Sequence, residues 1–123
     1  MTAKEHIYFG FGHIVYSLAF SDGKIQNEEK KILQDILNSR LNIGEGKDIS
    51  AIIFTLLNKE MLLSVESAFQ MGIKNIQLGD NHLTKKMMAD FNLILKDVAK
   101  AFPPSTETEK DIINQFNDKF NNL

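Results

Sequence analysis

Between Ile7 and Phe20 this chain carries no Asp, Glu, Lys or Arg. Ile7, Phe11, Ile14, Val15 and Leu18 repeat at helical spacing on one face, while Tyr8, Phe9, Tyr16 and Phe20 cover the others. A helix that is apolar all round must be surrounded, either by other helices or by lipid. Spanning a bilayer takes about 20 apolar residues. This run is shorter, and His13 interrupts it. It is therefore expected to be the central helix of a bundle, running from about Lys4 to Phe20. Gly10 and Gly12 would each weaken it by about 1 kcal/mol relative to Ala. Their expected role is to let a neighbouring helix come close.

The rest of the chain supplies the surrounding helices. A stripe of Ile32, Leu33, Ile36 and Leu37 opposite Lys30, Lys31, Gln34 and Asp35 predicts a helix over about Asn27 to Leu41, ended by Gly44-Glu45-Gly46. Ile49, Ile52, Ile53, Leu56 and Leu57 predict another from Asp48 to about Asn58, continuing after a break at Asn58-Lys59-Glu60 into Met61 to Met71. Gly72 is its expected stop, and Ile73 to His82 read as a connector. The cleanest pattern covers about Asn81 to Phe102, with Thr84, Met87, Met88, Phe91, Ile94, Leu95, Val98 and Phe102 on one face. Pro103-Pro104 closes it. A last helix begins near Thr106 and uses Ile112, Ile113, Phe116 and Phe120. No window alternates as a strand does. The expected fold is all-α: one domain over residues 1–123, a compact bundle of about five to seven helices. Phe91, Leu95, Ile32, Leu33, Ile14 and Leu18 are expected in one core.

A weak repeat appears at an offset of 80. Glu29-Lys30-Lys31-Ile32-Leu33 lines up with Glu109-Lys110-Asp111-Ile112-Ile113, and Val15, Leu18 and Ala19 fall on Leu95, Val98 and Ala99. Asp22-Gly23 then corresponds to Phe102-Pro103. A helix-turn-helix unit occurring twice would produce this pattern.

Composition narrows the function classes. The 123 residues include 43% hydrophobic and 24% charged side chains, as in ordinary globular domains, and the net charge is −2. That balance argues against a nucleic-acid binder, which usually presents a basic face. Without cysteine there are no disulfides, thiolate metal sites or Cys nucleophile, which fits a reducing, cytoplasmic setting. The N-terminal run has no small-residue cleavage site and does not read as a signal peptide.

Chemistry concentrates in Ala19-Phe20-Ser21-Asp22-Gly23-Lys24-Ile25-Gln26-Asn27-Glu28-Glu29. With Gly23 at position six of an EF-hand loop, Asp22, Ile25 and Glu29 fall at positions five, eight and twelve. Leu18 and Phe20 would then occupy positions one and three, where they cannot ligate, so this is not an EF-hand. Two readings stay open. In one, Asp22-Gly23 makes the turn, Gly23 takes positive φ, and Glu28 and Glu29 complement the positive end of the next helix. Thr106-Glu107-Thr108-Glu109 reads as a capping box in the second unit, with Glu109 the counterpart of Glu29. In the other, Asp22, Glu28 and Glu29 form a weak metal site for Ca²⁺ or Mg²⁺. Glu28 and Glu29 point about 100° apart, so one of them, Glu29, is expected to face Asp22.

The segment Tyr16 to Glu29 resembles the TerB-like family, named for tellurite-resistance proteins. In that family a helix rich in Ala precedes Asp-Gly-x-aliphatic-x-x-x-Glu and an amphipathic helix. Related domains occur in bacterial co-chaperones of the DnaJ type. The resemblance implies a compact helical bundle with pseudo-twofold character and a metal ion at the positions of Asp22 and Glu29, with Glu28 adjacent. It also implies a place in a bacterial stress response. Fuller members carry a second Asp-Gly turn. Here Phe102-Pro103-Pro104 replaces it, leaving Glu107 and Glu109, so the chain would be a divergent member.

Three functional readings follow. The first is a non-enzymatic interaction or scaffold module with a protein partner, no cofactor beyond a weakly held cation, and no transmembrane segment. The second is a small apolar-ligand or lipid-binding domain lined by Tyr8, Phe9, Phe11 and Tyr16. The third, a hydrolase built on His82 and Asp80, lacks a nucleophile marked by its context. His6 and His13 share a helix face but stand about 10 Å apart along the axis, too far for one metal.

Overall fold

A computed structural model describes residues 2–20, 27–40, 51, 64–101 and 107–120. Five α-helices and one 3-10 turn account for almost all of these residues, and no strand occurs among them. The helices are α1 (Ala3–Ala19), α2 (Asn27–Arg40), α3 (Val65–Leu78), α4 (Lys85–Ala101) and α5 (Glu107–Phe120), with the 3-10 turn at Asp80–His82.

The central position expected for α1 is observed. Every residue from Gly10 to Ala19 is buried. The helix starts with a capping box: the Thr2 hydroxyl accepts the Glu5 N–H at 3.1 Å, and the Glu5 carboxylate accepts the Thr2 N–H at 3.1 Å. These bonds satisfy two donors that a helix start otherwise leaves open.

α3 runs antiparallel to α1. Gly79 meets Ala3 and Ile7, Asn75 meets His6, and Gly72 meets Gly10. The two helices touch backbone to backbone at the last pair. A Cβ placed on Gly10 would lie 2.6 Å from the Gly72 carbonyl oxygen and 2.9 Å from the Ile76 nitrogen; one on Gly72 would lie 2.8 Å from the Gly10 oxygen. Gly10 thus has the role expected of it. Gly72 does not stop the helix. α3 passes through it and ends six residues later, with Gly79 as its C-cap. The stretch from Ile73, read as a connector, is instead the second half of α3 followed by the 3-10 turn. The helix survives because burial against α1 outweighs the weak propensity of one glycine. Its start is fixed by Ser64, whose hydroxyl accepts the Ser67 N–H at 3.0 Å.

α4 begins at Lys85 rather than near Asn81. Thr84 sits before it as a cap, its hydroxyl accepting the Met87 N–H at 3.0 Å. From there Met88, Phe91, Ile94, Leu95 and Val98 turn inward. Phe91 stacks on Phe11 with ring centroids 4.0 Å apart and planes 12° apart, and Tyr8 meets Phe91 edge-on at 5.8 Å. From α5, Phe116 approaches Phe11 at 6.1 Å. α2 packs along α4 and buries Leu33 and Leu37. Ile32, expected in the core, is 42% exposed: the α2 stripe is narrower than its four apolar residues suggested, and Ile32 falls on its outer edge. Phe91, Leu95, Leu33, Ile14 and Leu18 are all in the core as expected.

α2 and α5 are each 14 residues long, and their bounds differ by the offset of 80 at both ends. Their buried positions, Leu33 and Leu37 against Ile112 and Phe116, are one residue out of step with that offset. The Gly23 turn, the 48–58 segment apart from the helical, exposed Ala51, Pro103-Pro104 and Thr106 lie outside the described residues.

Candidate functional site

The acidic turn is described in part. Asp22 lies outside the described residues. The backbone of Glu28 and Glu29 is described and stands in the first turn of α2, as both readings of that segment require; their side chains are outside the described set. Glu109, 80 residues after Glu29, lies in the first turn of α5 and is buried, with 1% of its surface exposed. Among the described residues no three His, Asp or Glu side chains gather as a metal site would need.

The aromatic set on α1 is placed in full. Phe11 is fully buried between Phe91 and Phe116. Tyr8 is half-buried, with the Lys4 ammonium 5.9 Å from its ring centre. Phe9 lies over His13 at 4.6 Å, and Tyr16 stacks on Phe20 at 4.7 Å. Burial raises the Tyr16 hydroxyl above its ordinary range, because the phenolate would lose its water. Phe11 and Tyr16 are thus buried, while Tyr8 and Phe9 keep part of their surface exposed.

The histidines belong to the framework of α1. The Phe9 carbonyl can only accept, so the buried His13 donates to it from Nδ1 at 2.9 Å. The Asn75 amide nitrogen donates to the Met71 carbonyl at 2.8 Å, which turns its oxygen toward His6; His6 Nδ1 donates to that oxygen at 3.2 Å. His6 therefore ties α1 to α3. Sequence reasoning missed Asn75 because it lay in the supposed connector. Once the period of Ala68, Phe69, Gly72, Ile73 and Ile76 is followed through the glycine, Asn75 stands on the flank that meets α1. Ser17, buried, returns its hydroxyl to the Ile14 carbonyl at 2.7 Å.

Asp80 and His82 share the 3-10 turn and are both exposed. The turn closes on itself through His82 N–H to the Gly79 carbonyl at 2.9 Å and Leu83 N–H to the Asp80 carbonyl at 3.1 Å. Among the described residues no helix is long and apolar enough to cross a membrane. A scan against protein-family models matches none, and searches of curated proteins and of solved structures return no significant match.

Proposed function

We propose that this chain is a divergent TerB-like domain: a non-enzymatic interaction or scaffold module in a bacterial stress response of the tellurite-resistance type, with a weak divalent-cation site at its acidic turn. The observation that supports this best is the start of α2 at Asn27. It puts Glu28 and Glu29 in the first helical turn, six and seven residues after Asp22 in the sequence, as the family pattern requires. The shared 80-residue offset of α2 and α5 supports the pseudo-twofold part of the reading. The apolar-ligand alternative is weaker. Of its four rings, Phe11 is fully buried and stacked at 4.0 Å on Phe91, and Tyr16 is buried as well.

An Asp and one or two Glu offer hard oxygen ligands, which suit Ca²⁺ or Mg²⁺ and hold them weakly, in roughly the millimolar range. NMR titration with each ion tests this. Shifts are expected at Asp22 and Glu29, and they are expected to vanish in the Asp22→Asn variant. A titration without shifts at several times that concentration would leave helix capping as the whole role of these carboxylates.

A further inference from the structure

The solvent face of α4 differs in kind from those of its neighbours. Its exposed residues are Lys85, Lys86, Ala89, Leu93, Lys96 and Lys100. They are four cations and two apolar side chains, with no acid among them. At 3.6 residues per turn they fall within an arc of about 100°, in a row about 22 Å long. Leu93, 41% exposed, lies near the middle. The only acids of α4, Asp90 and Asp97, are half-buried on one flank. The exposed faces of α3 and α5 mix both signs, with Glu66 and Lys74 on one and Glu107, Lys110, Asp111, Asp118 and Lys119 on the other. The row is also opposite in sign to the chain, whose net charge is −2. Packing of Phe91, Ile94, Leu95 and Val98 holds the helix so that this face points outward.

We propose that this face of α4 docks the domain on an anionic lipid bilayer, with the lysines on the headgroups and Leu93 pressed into the interface. Charge complementarity carries the choice of an anionic partner. The shape of the face favours a bilayer over a peptide. Among the described residues the face is a single helix row, and one large apolar side chain is too short a seam for a partner helix. A fluid headgroup layer needs no such seam. Lysine also suits it, as a flexible point charge without the fixed fork that arginine brings to a specific partner.

Co-sedimentation with phosphatidylcholine vesicles, with and without phosphatidylglycerol, tests the proposal at low ionic strength. Binding is expected only with the anionic lipid and is expected to fall as salt is added. Replacing Lys85, Lys86, Lys96 and Lys100 by Ala is expected to lower the partition coefficient by about fivefold per lysine. Leu93→Ser should lower it by a smaller factor. A matched variant, with Ala at Lys31, Lys74, Lys110 and Lys119, has the same net charge and is expected to retain more binding than the α4 variant. Circular dichroism checks that each variant keeps its helices. Absence of binding to anionic vesicles, or equal loss in the two quadruple variants, would overturn the proposal. Tighter, α4-dependent binding to an oligonucleotide would overturn it too. The proposal is independent of the Asp22 cation site, which the ion titration tests without lipid.

Discussion

On one side of α1, Gly10 lies against Gly72 of α3; a quarter-turn away, Phe11 stacks on Phe91 of α4. The first contact works by the absence of side chains. Two backbones approach until any Cβ would strike a carbonyl oxygen at 2.6–2.8 Å. The second works by bulk, with three phenylalanines filling the space between helices. The two contacts tolerate change differently. A ring can be trimmed, leaving a cavity whose cost depends on how far the neighbours relax. A backbone cannot rotate out of the way of an added methyl group.

The largest loss is expected on the bulky side. Phe91 is fully buried, and Phe91→Ala should cost about 3–5 kcal/mol in denaturant unfolding. A loss below about 1 kcal/mol would mean that the rings do not carry that side. The outer helix sharpens the point with neighbouring residues. Leu33 is fully buried and Ile32 is 42% exposed, so Leu33→Ala should cost about 2–5 kcal/mol. Ile32→Ala should stay within about 0.5 kcal/mol. Equal effects would contradict the placement of α2. A smaller loss than at either core position is expected at the start of α1, where Thr2→Ala should cost about 1 kcal/mol. There the Glu5 carboxyl is held below its ordinary value of 4.5 by its hydrogen bonds with the Thr2 backbone and side chain. A depressed folded-state pKa stabilises the helix start above the unfolded value. That contribution fades as pH falls below 4.5 and through the folded value. The protection factors of the amides at residues 5–7, which correct exchange for its intrinsic pH dependence, should fall in that window, and Glu5→Gln should abolish that fall.

The bulky contacts were legible in the sequence because they rest on periodicity. Phe91, Leu95 and Leu33 stand on clear helical stripes and are buried. The apolar run of α1 foretold its burial on every side. Thr2-x-x-Glu5, a capping box ahead of that run, was equally legible and went unread. The glycine seam was legible in one half only. Gly10 sits inside an unmistakable helix, so close approach was the natural explanation. Gly72 is flanked by weaker signals, and glycine favours helix ends as readily as it permits contact. Which role it plays depends on what lies opposite, and that is a tertiary fact. The same dependence displaced Ile32, whose period is right while the width of the buried stripe is set by α4. For the acidic turn, the sequence placed Glu28 and Glu29 correctly in a first helical turn.

The Gly10–Gly72 seam is tested most directly by the sign of one free-energy change. In an ordinary helix interior, Gly→Ala stabilises by about 1 kcal/mol. At Gly72 the added Cβ would lie 2.8 Å from the Gly10 oxygen and 2.6 Å from Ile14 Cδ1. The helices must then separate, and overpacking of this kind costs about 1–3 kcal/mol. Urea unfolding of Gly72→Ala is therefore expected to show a destabilised protein. A variant more stable than the parent would contradict the backbone contact between α1 and α3 and, with it, the arrangement of the bundle around α1.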